Sequence, residues 1–86
     1  MERHETVALK AGLHARPATR FVRAACSFQS ESWIARASGG RVADAKDVIA
    51  VLSLDIGLND EVIIGADGSD EEEAVSALAD ALHDLK

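Results

Sequence analysis

Small or polar positions alternate with apolar ones along Thr6-Val7-Ala8-Leu9, which predicts a strand, and Gly12 breaks it into a short loop. Behind the loop, Ala18, Phe21, Val22, Ala25 and Phe28 recur at near-helical spacing. Pro17 suits the first helical position, where its missing N–H costs nothing. A helix over about 16–28 is expected. Residues 32–37 and 41–43 read as two strands joined at Gly39-Gly40, because glycines accept the positive φ of a tight hairpin. Asp47 can cap a short helix over 48–54 that Gly57 terminates. Asn59-Asp60 then turns the chain into Glu61-Val62-Ile63-Ile64, the clearest strand pattern in the sequence. In the last segment Ser69 and Glu72 have capping-box spacing, residues 70–73 load the positive end of a helix dipole, and His83 and Lys86 sit at the other end. Val75, Leu78, Leu82 and Leu85 supply its buried stripe.

Taken in order, these elements predict an α+β fold: an open-faced β-sandwich in which a four-stranded antiparallel sheet is covered on one face by three helices, βαββαβα. The length of 86 residues leads us to expect one domain spanning 1–86. Aromatic residues are 3% of a chain that is 48% hydrophobic, so the core is expected to be aliphatic around Phe21, Phe28 and Trp33. Trp33 and Ile34 are placed on the core side of the sheet or at its edge.

Cys26 is the only cysteine, which excludes an internal disulfide and any Cys-x-x-Cys site, and it reads as a small, partly buried thiol. The first ten residues lack the apolar run of a signal peptide, and no stretch has the roughly 20 apolar residues of a membrane helix. The expectation is a cytoplasmic protein without membrane insertion. A net charge of −6 argues against nucleic acid. Its distribution is uneven: residues 1–43 carry seven Lys/Arg against three Asp/Glu, net +4, and residues 44–86 carry two against twelve, net −10. His4, His14 and His83 have no metal-ligand spacing, so no metal is expected; His83 reads as a charge near the end of the last helix.

The segment Gly12-Leu13-His14-Ala15-Arg16-Pro17-Ala18 places an imidazole immediately before a helix whose first N–H groups are unpaired, an arrangement that binds anions. A phosphoryl group on His14 could share its charge with those N–H groups and with Arg16, and Gly12 would let the backbone turn so that the ring is exposed. The residues alone leave open a surface or capping role for a lone loop histidine.

Residues 12–18 resemble the active-site signature G-L-H-x-R-P-A of the histidine-containing phosphocarrier (HPr) family of the PEP-dependent phosphotransferase system. Val42-Ala43-Asp44-Ala45-Lys46-Asp47-Val48-Ile49 and Leu52-Ser53-Leu54 are similar to that family's second block, so that the likeness spans essentially the whole chain. The resemblance implies that His14 takes phosphate on Nδ1 from phosphorylated Enzyme I and yields it to a IIA-type domain. Arg16 and the backbone at Ala15, Pro17 and Ala18 would steady the group. It implies a carrier with a covalent phosphohistidine and no cofactor, rather than a stand-alone enzyme. Many relatives have a regulatory serine where this chain has Asp47, which excludes serine phosphorylation there; Asp47 reads as an N-cap, with mimicry of phosphoserine the weaker alternative. Val48-Ile49-Ala50-Val51-Leu52 with Leu54-Asp55 also resembles the nitrogen-related branch of the family, so the output is sugar uptake or nitrogen-related regulation.

Arg16, Arg20 and Arg23 fall at i, i+4 and i+7 and would form a basic ridge leading from His14 toward an acidic partner, or else a solvated helix face. Val48, Ile49 and Leu52 lie on a helix that is apolar all round, so part of it is expected to be exposed as a docking patch; full burial is the alternative. The competing functions are a non-catalytic regulatory module with the same fold, binding partners through the ridge, and an oligomeric metabolite-binding domain, for which no polar pocket constellation is present. A monomer is expected, because a carrier that presents one loop to successive partners gains little from assembly.

Overall fold

The computed structural model describes residues 1–83; the predicted roles of Leu85 and Lys86 lie outside them. Seven elements follow in the expected order: β1 (Glu2–Thr6), α1 (Ala15–Cys26), β2 (Glu31–Arg36), β3 (Val42–Asp44), α2 (Val48–Ser53), β4 (Glu61–Asp67) and α3 (Glu71–Ala81). The strands form one sheet in the order β1-β4-β2-β3, every pair antiparallel. This is the open-faced sandwich expected from the pattern.

The alternation of two along β2 and β4 builds the core. Ile34, Val62, Ile64 and Ala66 point to the helix side and are wholly buried, joined by Phe21 of α1, Val51 of α2 and Leu78 of α3. On the opposite face Trp33 lies across Gly65, its partner in the β2–β4 register; a Cβ at position 65 would overlap the indole. Trp33 is therefore on the outer face, not the core side, and Ile34 alone supplies the core.

The first strand falls earlier than the predicted 6–9. β1 is an edge strand whose residues are exposed or half-buried, so it carries no apolar alternation and is held by its backbone ladder to β4. The apolar pattern instead marks anchors in the loop behind it: Val7 and Leu9 are buried, and Val7 exchanges backbone bonds with Asn59 and Asp60. Helix α1 begins at Ala15, so Pro17 is its third residue rather than its first; it still lies within the first turn, where a missing N–H is harmless. The link between β2 and β3 spans five residues, with Gly39 and Gly40 at φ 105 and 101, as the glycine pair implied.

The capping box predicted from Ser69 and Glu72 does not form. Asp70 is the N-cap of α3, but its carboxylate turns away from its own helix. It accepts from the Gln29 and Ser30 N–H groups, both at 2.9 Å, and from the Ser30 hydroxyl. These bonds, Ser30 first and then Gln29, hold the Asp70 carboxyl below its ordinary value against some desolvation. The turn ahead of α3 closes through Glu71, which accepts from the Gly68 N–H at 3.2 Å. His83 does not act merely as a charge at the helix end: its Nε2 lies 3.2 Å from Glu5 Oε1, and its backbone bridges to Ala8. Cys26 is exposed rather than partly buried.

Candidate functional site

Gly12 sets the geometry of the loop ahead of α1. Its φ is 74, and a Cβ there would sit 2.6 Å from the Ile56 carbonyl oxygen and 2.8 Å from Gly57 Cα, so only glycine fits without displacement. The next residue locks the loop down, because the Leu13 N–H donates to Ile56 at 2.8 Å and the Leu13 side chain is fully buried. With Leu13 pulled inward, His14 is turned outward. Its side chain is 46% exposed, and its backbone is extended as the N-cap of α1, yet it makes no side-chain capping bond.

The N–H groups of Ala15 and Arg16 accordingly have no partner among the described residues. The first turn of α1 holds no acidic side chain, whereas that of α3 holds Glu71, Glu72 and Glu73. The positive end of α1 is thus left open, with the exposed Arg16 in its first turn, and suits a multiply charged anion. Ala15 stands at φ 48, in the left-handed region that is costly for a residue with a Cβ. Pro17 is half-buried and the Ala18 side chain is wholly buried, so neither offers more than its backbone to the site.

Beyond the loop, the predicted residues come together as follows. Arg16, Arg20 and Arg23 are all exposed on one face of α1, and no carboxylate lies within ion-pair distance of any of them among the described residues. On α2, Ile49 is 71% exposed, Val48 and Leu52 are half-buried and Val51 is buried, so the fully buried alternative is excluded and an apolar surface remains. Leu58, 48% exposed, is a further apolar residue in the open that the sequence pattern did not single out. Asp47 is explained by capping: its Oδ1 accepts from Ile49 N at 3.0 Å and Ala50 N at 3.2 Å.

Two side chains that sequence reasoning did not assign to the site also shape it. Asp55 Oδ1 lies 3.6 Å from His14 Nε2. Arg36, at the end of β2, donates from Nε and Nη2 to the Leu54 carbonyl, from Nη2 to that of Asp55, and from Nη1 to Asp60 at 2.9 Å. Asp60 in turn accepts from the Gly57 N–H at 2.8 Å, which with Arg36 holds its carboxyl below the ordinary value despite desolvation. Arg36 thus ties together both ends of residues 54–60, the segment against which the His14 loop leans and which Val7 and Leu13 also hold through backbone bonds. A signal existed, since Arg36 shares strand parity with Ser32 and Ile34 and hence faces the protein rather than solvent.

Among the described residues no three His, Cys, Asp or Glu side chains gather as a metal site, and no helix is long and apolar enough to cross a membrane. The family described as PTS HPr component phosphorylation site matches residues 1–84. The chain is 40% identical over 82 residues to the phosphocarrier protein HPr of Haloferax volcanii, covering 95% of this chain and 92% of that one. Its fold is similar to the crystal structure of the phosphocarrier protein HPr of Bacillus anthracis, at a TM-score of 0.88, 38% identity and 94% coverage of each chain. It is also similar to an HPr dimer from Thermoanaerobacter tengcongensis, at a TM-score of 0.72 and 39% identity, covering 86% of this chain and 83% of that one.

Proposed function

This chain belongs to the HPr family of phosphocarriers, and from that membership we propose that His14 accepts a phosphoryl group on Nδ1 from phosphorylated Enzyme I and passes it to a IIA-type domain. The observation that carries the proposal is the half-exposed, uncapping His14 ahead of the unpartnered Ala15 and Arg16 N–H groups. In the transfer, the Nδ1 lone pair forms a bond to phosphorus as the bond to the donor imidazole breaks, and that electron pair returns to the donor. Charge on the three phosphoryl oxygens is met by the backbone amides of residues 15–18, other than Pro17, and by the Arg16 guanidinium. Neither a cofactor nor a metal enters these steps.

Docking uses the surface around the histidine. The exposed Arg20 and Arg23 attract an acidic partner, and Val48, Ile49 and Leu52 give it an apolar seat. Successive partners read the same face, which is the argument for a monomeric carrier; a cytoplasmic setting is a separate part of the proposal, resting on the composition of the chain. Asp47 leaves no hydroxyl for regulatory serine phosphorylation, and the output of the transfer is sugar uptake or nitrogen-related regulation.

Incubation of the protein with phosphoenolpyruvate and Enzyme I, followed by intact mass, tests the carrier function. The expected result is one added phosphate, acid-labile, and absent from His14→Ala. No modification from several Enzyme I paralogues would instead support a regulatory module that binds through the arginine ridge.

A further inference from the structure

We propose that Asp55 is a positioning residue for the phosphoryl transfer: its carboxylate holds the proton of His14 on Nε2, so that Nδ1 presents a free lone pair. This inference rests on the phosphocarrier reading. Asp55 Oδ1 is 3.6 Å from Nε2, and as the Asp55 side chain is largely in solvent, a small rotation of it closes the gap to a hydrogen bond. The backbone that carries this carboxylate is held on every side. Leu54 and Ile56 on either flank are buried, and Arg36 donates to the carbonyls of both Leu54 and Asp55.

The backbone at position 55 has φ 53, in the left-handed region where glycine is unstrained and aspartate is among the few other residues readily accommodated, so this turn carries a carboxylate at little cost. With Leu54 and Ile56 committed to the core, the side chain of Asp55 has only the solvent side beside His14 to occupy.

The chemistry follows from the two ring nitrogens being distinct. A neutral imidazole that keeps its hydrogen on Nε2 can attack phosphorus through Nδ1 without first losing a proton. As the Nδ1–P bond forms and the bond to the donor phosphohistidine breaks, the ring gains positive character and still holds that hydrogen. A carboxylate on the Nε2 edge stabilises this charge, as a carboxylate does for the imidazolium of a hydrolase triad. Standing on the Nε2 edge, it faces away from the phosphoryl group that Nδ1 receives. At 85% exposure the carboxylate is well screened, so its effect is modest.

The test uses the ¹⁵N chemical shifts of the His14 ring, read on the unphosphorylated protein above the titration of the histidine, together with the rate of transfer from phosphorylated Enzyme I. Asp55→Gly is expected to lower the share of the Nε2–H tautomer and to slow transfer by about two- to fivefold, with the fold intact, since glycine fits φ 53. Asp55→Asn keeps an acceptor at the same place and is expected to retain most of the tautomer bias. Unchanged ring shifts in Asp55→Gly, or faster transfer in both variants, would overturn the proposal; the latter would mean that the carboxylate acts mainly by repelling the incoming phosphoryl group. Because the tautomer is read without any phosphate, failure of the carrier function would leave this measurement interpretable.

Discussion

At position 12 two penalties coincide: a left-handed backbone and a carbonyl oxygen 2.6 Å from where a Cβ would stand. Gly12→Ala is expected to cost about 1–3 kcal/mol, seen as a lower denaturant midpoint. It should also slow phosphorylation of His14, because the Leu13 N–H would lose its bond to Ile56. A midpoint and a rate equal to those of the native chain would mean that the loop shifts freely and that Gly12 does not hold the ring in place. His14 and Arg16 were legible in the sequence because the chemistry of one helix start is written in consecutive residues. Asp55 and Arg36 were not, since their relation to His14 exists only once β2 and the turn after α2 have been folded beside the loop.

Element by element, the apolar spacing located the helices and the central strands well, because those elements bury one face and leave a period in the chain. It misplaced β1, whose ladder sits at the edge of the sheet and buries no side chain fully. It also misassigned the start of α3. Ser69 and Glu72 have the right spacing for a box, but Asp70 is recruited by the loop of Gln29 and Ser30, a partner that local sequence cannot reveal. That clip ties the end of α1 to the start of α3, and its pH dependence has a definite sign. Asp70 titrates lower when folded than its ordinary 3.8, so the unfolded chain takes up this proton first as the pH falls. The stability from the clip is complete above about pH 4 and is lost as the pH drops through the folded value. Asp70→Asn is expected to be less stable at neutral pH and to show a flatter decline in acid, leaving Asp60, lowered by Gly57 and Arg36, to supply a smaller acid limb. Equal slopes for variant and native chains in urea titrations across the acid range would remove the clip from the account.

Across the whole molecule, charge is sorted more strongly than the total of −6 suggests. The cationic half of the chain includes α1, which carries three arginines, unpaired among the described residues, on the face that starts at His14, while the first turn of α3 and the segments before it are acidic. An acidic partner is therefore drawn to one side and repelled by another, which orients encounter before contact. Transfer from Enzyme I should slow as salt rises, and Arg20→Glu with Arg23→Glu should slow it by about tenfold while the phosphate finally acquired stays the same. A double variant with native rates at low salt would assign recognition to Ile49 and its neighbours alone.

The single tryptophan stands on the sheet face that the helices leave bare, stacked on Gly65 and bonded through its indole N–H to Glu2 of the edge strand. Its fluorescence is consequently wired to the wrong side of the molecule for watching phosphate arrive. Emission from Trp33 is a gauge of whether β1 is still attached, and a chemist following His14 by light will have to install a second fluorophore on the helical side.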